Sequence, residues 1–147
     1  MALTMSEQTK HITFLIASGP LAANKDAFVF TTLMQAYRDG AIMGCLCPDT
    51  DYSDYLDDWL WSYRPEHFLP HTQTKASKKT KQIYIHHQLT ALEECTQILN
   101  LTSRALTSFV ANCVHLELVH AQNKQQQRQI FRHYQQVGIQ PQTRNIH

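Results

Sequence analysis

A row of cations near the C-terminus has the residue types and spacing of an anion-binding surface. Lys124, Arg128 and Arg132 recur every fourth residue, so a helix places them on one side. Phe131 lies at the edge of this row, and no acidic residue follows Glu117. The pattern predicts a ligand that is both anionic and apolar: an acidic peptide with a free C-terminus and a hydrophobic side chain, or a nucleic acid. The alternative is a solvated basic face with Phe131 in the core.

Two aromatic side chains in the first half of the chain predict a second binding surface. Trp61 falls outside the apolar stripe of its predicted helix, among Asp54, Asp57 and Asp58. Phe68 follows in a loop that is bounded by prolines. Exposed tryptophan and phenylalanine are typical of protein interfaces, so these rings predict a partner-binding surface. The alternative is that the loop folds back and both rings enter the core.

The other candidate chemistry lacks a supporting motif. The chain has 9 histidines and 4 cysteines, but no zinc-ligand spacing, no Gly-x-Ser-x-Gly and no His-Glu-x-x-His. The first strand-to-helix turn, Ser18-Gly19-Pro20, carries one glycine, so a phosphate-binding loop is missing. We therefore predict no catalytic residue, no metal and no cofactor. The lack of a catalytic motif argues against the hypothesis that the chain is a small α/β enzyme.

A lysine cluster supports a rival hypothesis of direct nucleic-acid binding. Its members are Lys75, Lys78, Lys79 and Lys81. They would contact phosphate groups together with the basic C-terminal helix. The cluster contains no aromatic residue on which bases could stack, and the whole chain is nearly neutral, with 13 basic and 12 acidic residues. A solvated flexible loop is therefore the preferred interpretation.

These residues need a scaffold, and the hydrophobic pattern predicts an α/β domain. Apolar runs predict strands over residues 11–18, 41–47, 82–87, 98–101 and 114–119. Helical periodicity predicts helices over residues 24–39, 51–61, 106–113 and 122–138, with a brief further helix opened by a capping box at Thr90 and Glu93. Asp49 or Thr50 can cap the second helix.

The alternating order predicts a single domain over residues 1–147, with a mostly parallel sheet and helices on both faces. Residues 1–10 read as a flexible lead-in, and the residues after Gly138 read as a tail. No segment is long and apolar enough for a membrane span, and the N-terminus lacks the pattern of a signal peptide. We expect a cytoplasmic protein with reduced cysteines.

Two segments resemble a known family. Residues 56–61 (Leu-Asp-Asp-Trp-Leu-Trp) followed by residues 68–71 (Phe-Leu-Pro-His) form the first, and Arg128-x-x-Phe131-Arg132-x-Tyr134 followed by Val137-Gly138 forms the second. Both are similar to stretches of the chi subunit of bacterial DNA polymerase III, an accessory of the clamp-loader complex. Length and element order agree, so the resemblance spans essentially the whole domain.

The resemblance implies a three-layer, Rossmann-like fold without a nucleotide-binding loop, and a non-enzymatic adaptor in the bacterial cytoplasm. It implies two partners, the psi subunit and the acidic C-terminal tail of single-stranded-DNA-binding protein, which ends in phenylalanine. By matching positions, the tail-binding residues are Lys124, Arg128, Phe131 and Arg132, and the psi interface contains Trp61 and Phe68. A helicase is a further candidate for the Trp61 surface; direct DNA or membrane binding is not expected.

Arg128 is the expected anchor for the tail carboxylate, because a guanidinium can hold a carboxylate through two hydrogen bonds. The chain departs from the family pattern in three places. Phe131 stands where a tyrosine is usual, the N-terminus is longer, and the lysine-rich loop after Pro70 does not match.

Overall fold

A 7-stranded parallel sheet runs through residues 10–147, the part of the chain that this computed structural model describes. Its strands are β1 (Lys10–Ala17), β2 (Met43–Leu46), β3 (His71–Thr72), β4 (Ile83–His86), β5 (Gln97–Asn100), β6 (Cys113–Val119) and β7 (Gln142–Ile146). They lie in the order β3-β4-β2-β5-β6-β1-β7. Most of the predicted lead-in lies outside the described residues, and Lys10 already belongs to β1.

Three helices connect these strands: α1 (Lys25–Arg38), α2 (Thr50–Ser62) and α3 (Lys124–Gln136). Asn24 and Asp49 cap the first two, each with a side-chain oxygen that accepts a hydrogen bond from the main chain three residues later. The Asp49 cap predicted for α2 is thereby confirmed. Asn123, which precedes α3, makes no such bond.

The helices cover both faces of the sheet, as the sequence predicts. Leu33 of α1 and Leu56 of α2 pack with β-strand residues in one hydrophobic cluster. Ile130 and Tyr134 of α3 pack with Phe14 of β1 in the other cluster, on the opposite face. The fold is therefore α/β with three layers, and a parallel sheet of this kind is buried by helices on both faces.

Of the two helices predicted between β4 and β6, that over residues 106–113 is wrong, and the brief one at Thr90 is only a 3-10 turn. Residues 101–112 form a loop, in which Ser103 and Asn112 adopt left-handed backbone angles, with φ of 63° and 57°. Loop N–H groups donate hydrogen bonds to side chains and not to the carbonyl oxygens of a preceding helical turn. Leu106 N, for example, donates to the Tyr134 hydroxyl over 2.9 Å. The capping box at Thr90 is also absent, because residues Leu89–Leu92 form a 3-10 turn without a side-chain cap.

The predicted C-terminal tail contains a strand. β7 pairs in parallel with β1, and most of its side chains are exposed, so it lacks the hydrophobic run that marks an inner strand. Helical periodicity also predicts that Val137 and Tyr55 lie on the apolar stripes of their helices, but both are exposed. Val137 is 57% exposed because it follows the last residue of α3, where the backbone no longer continues the helix. Tyr55 is 55% exposed, at the flank of α2, where its ring contacts Tyr52.

Candidate functional site

Three of the four residues predicted to bind the acidic tail line one groove beside α3. The groove has a volume of about 270 Å³. The helix contributes Lys124, Gln127, Arg128 and Phe131, and the strands contribute Phe14, Ile16, Val119 and Thr143. We call it the basic groove. Arg132 is exposed on the following turn and does not line it.

Phe131 connects the basic groove to the core. Its ring meets the buried Phe14 ring edge-on, with centroids 5.1 Å apart and planes inclined by 62°. The same side chain is half-buried and lines the groove. The Phe131 ring therefore packs on the core and also presents one surface to the groove.

The groove is positively charged and apolar at once. Lys124 and Arg128 are exposed, and neither forms an ion pair with any residue in the range 10–147. Lys124 opens α3, whose first turn has no acidic residue and no side-chain cap. The free amides of that turn add positive potential near the groove. Such a site is suited to an anion that also carries an apolar group.

Trp61 and Phe68 lie side by side on the surface. They are 54% and 62% exposed, and their ring centroids are 5.5 Å apart. The prediction that Trp61 points outward is confirmed, and the alternative that both rings enter the core is wrong. We call this pair the aromatic surface.

His71 packs against the aromatic surface from the interior of the domain. Its ring is buried, with its centroid 4.6 Å from that of Trp61. One ring nitrogen lies 2.7 Å from the Leu69 carbonyl oxygen, and the other lies 3.2 Å from the Asp57 carboxylate. The histidine therefore ties the loop that carries Phe68 to α2.

A family model of the DNA polymerase III chi subunit, HolC, matches residues 10–142. The chain belongs to this family. The matched range contains both the basic groove and the aromatic surface. No curated protein sequence matches the chain.

Membership in the chi family establishes an accessory role with DNA polymerase III in DNA replication, and it confirms the resemblance of the two sequence segments. The family is one of non-catalytic subunits. None of the helices described over residues 10–147 has the length and hydropathy needed to span a membrane.

The lysine cluster of this chi-family chain lies apart from the basic groove. It precedes β4, towards one edge of the sheet, whereas the groove adjoins β1 and β7 at the other edge. The loop is tied to the domain: Lys78 N donates to the Glu94 carboxylate over 2.9 Å, and the Lys81 ammonium lies 4.5 Å from the centre of the Tyr37 ring. The fold therefore does not combine the two basic segments into one surface.

A buried carboxylate that no sequence motif predicts holds α3 against the sheet. Glu117 of β6 is 2% exposed and accepts hydrogen bonds from Asn100 and the Tyr134 hydroxyl, each over 2.8 Å, and from Gln127 over 3.4 Å. Gln127 also lines the basic groove. The sequence feature that indicates such a buried group is an acidic residue inside the apolar run of residues 114–119.

Glu117 should make the stability of the domain depend on pH. Burial raises the pKa of Glu117 from about 4.5 to about 7, and its three hydrogen bonds oppose the rise only in part. Between these values the folded state binds a proton that the unfolded state releases, so stability falls as the pH rises. Relative to wild type, we expect Glu117→Gln to gain about 1 kcal/mol of unfolding free energy between pH 6 and pH 8.

Denaturant unfolding of both proteins at the two pH values measures this gain. Glu93→Gln is the control, since Glu93 is exposed and should give no pH-dependent difference. A constant difference between Glu117→Gln and wild type at both pH values would contradict the prediction.

Proposed function

We propose that this chi-family chain is a non-enzymatic adaptor that links the clamp loader to single-stranded-DNA-binding protein. The acidic C-terminal tail of that protein would bind the basic groove, and the psi subunit would bind the aromatic surface. The observation that supports the tail site best is that Lys124, Arg128 and Phe131 share one groove with apolar walls.

Each part of the tail has a matching part of the groove. The Arg128 guanidinium would hold the terminal carboxylate, and the terminal phenylalanine ring would pack among Phe131, Ile16 and Val119. A volume of about 270 Å³ is sufficient for the ring, since a protein cavity of roughly 150 Å³ holds benzene. Lys124 and Arg132 would face the aspartates of the tail at the more solvated rim.

The positions of the two surfaces allow both partners to bind together. α2 packs on one face of the sheet and α3 on the other, so the aromatic surface and the basic groove belong to opposite layers. Occupation of one surface would leave the other accessible, as an adaptor requires. A helicase that used the aromatic surface would compete with psi and not with the tail.

Fluorescence anisotropy with three labelled ligands tests this function. The ligands are the acidic tail peptide, the same peptide without its terminal phenylalanine, and a single-stranded oligonucleotide. We expect binding of the first alone, because only it offers both the terminal ring and its carboxylate to the groove. Oligonucleotide binding as tight as that of the peptide would favour the rival nucleic-acid function.

A further inference from the structure

The aromatic surface is bordered by negative charge. Asp54, Asp58 and Trp61 follow one another at spacings of four and three residues, so α2 presents them on one stripe. All three side chains are exposed. The apolar ring of Trp61 therefore has two carboxylates on the helical turns that precede it.

These two carboxylates are available to a partner. Neither Asp54 nor Asp58 makes a side-chain hydrogen bond or an ion pair with any other residue in the range 10–147. Asp57, on the same side of the helix, differs because its carboxylate already lies 3.2 Å from the His71 ring. The unsatisfied charge next to Trp61 is thus that of Asp54 and Asp58.

The end of α2 adds to this potential. Trp61 lies in the last turn, which contains no basic residue, and the free carbonyl groups of a helix C-terminus favour a cation nearby. Arg64 follows the helix, but its guanidinium lies over the Tyr63 ring, 5.5 Å from the centroid, and lines a groove beside α1. Glu66, in the loop before Phe68, is exposed and acidic.

We infer that the segment of psi that binds the aromatic surface is basic as well as apolar. Its apolar side chains would cover Trp61 and Phe68, and flanking lysine or arginine residues would face Asp54 and Asp58. The inference rests on the proposed function, and it adds the chemical class of the psi segment.

The charge pattern should govern which partner binds where. Rim ion pairs add little affinity, but they speed association and discriminate against a partner of the same charge. The acidic rim of the aromatic surface would repel the acidic tail, which the basic groove attracts. The chain would therefore sort its two partners by the sign of their charge.

A matched pair of double variants tests the inference with the full chain and its cognate psi subunit. Asp54→Asn with Asp58→Asn removes two charges beside Trp61, and Asp39→Asn with Glu93→Gln removes two exposed charges that lie outside α2. At low salt we expect the first variant to bind psi about fivefold more weakly than wild type, mainly through slower association. The control should stay within about twofold, and high salt should abolish the difference.

Surface plasmon resonance at two salt concentrations measures the association and dissociation rates of psi for each variant. If psi binds both double variants equally while Trp61→Ala loses binding, the inference is wrong and the proposed psi site stands. If Trp61→Ala and both double variants bind like wild type, the proposed site and the inference both fail. Circular dichroism spectra of the four proteins exclude a general loss of structure.

Discussion

Replacing Arg128 by alanine should lower the affinity of the chain for an acidic peptide ending in phenylalanine by about tenfold to a hundredfold. Arg128 lines the basic groove together with Phe131 and has no carboxylate partner within residues 10–147. A hydrogen bond between two charged groups contributes roughly 1.5–3 kcal/mol, which corresponds to that loss of affinity. Calorimetric titration of the variant with the peptide measures it.

The other cations of the row should matter less. Lys124→Ala should weaken binding more than Arg132→Ala, because Lys124 lines the groove and Arg132 does not. Both would pair with the tail aspartates at the solvated rim of the complex, where an ion pair is worth about 0–1 kcal/mol, whereas Arg128 would hold the terminal carboxylate beside Phe131. Added salt should weaken wild-type binding by screening the rim charges.

Arg144→Ala is the matched control for Arg128→Ala, since Arg144 is exposed on β7 beside Leu15 and does not line the groove. It should bind the peptide like wild type. If Arg128→Ala retained full affinity while Lys75→Ala or Lys79→Ala lost it, the tail site would lie at the lysine cluster instead.

Trp61→Ala and Phe68→Ala should each weaken psi binding by about 2 kcal/mol or more, roughly thirtyfold, and leave tail binding intact. The two rings contact each other and are more than half exposed, so each truncation removes part of one continuous apolar surface. Because neither ring is in the core, both variants should fold normally. Pull-down with psi and titration with the tail peptide report on the two surfaces separately.

Tyr55→Ala provides the control for the aromatic surface. Tyr55 is an aromatic residue of the same helix and is 55% exposed, but it lies on another side of the helix and contacts Tyr52. Its truncation should leave psi binding unchanged. Full retention of psi by Trp61→Ala and Phe68→Ala, with loss in Tyr55→Ala, would move the interface to that side of α2.

Several features of this protein follow from local sequence. The Asp49 cap, the helical periodicity of α2 and the exposure of Trp61 depend on residues within one or two helical turns, so a helical wheel predicts them. The basic row of α3 follows in the same way. The alternation of strands and helices likewise predicts the three layers, since each apolar strand needs cover on both faces.

Tertiary structure decided the rest, because those features join segments that are distant in the chain. Phe14 and Thr143 are neighbours only because β7 pairs with β1, and together they form a wall of the basic groove that no local pattern reveals. The exposed side chains of β7 give no hydrophobic signal for that pairing. The loop of residues 101–112 takes its shape from distant side chains such as the Tyr134 hydroxyl, which replaces a helical hydrogen-bond partner. A helical wheel gives the direction in which a side chain points from the helix axis. A groove also depends on the side chains that neighbouring strands place opposite the helix.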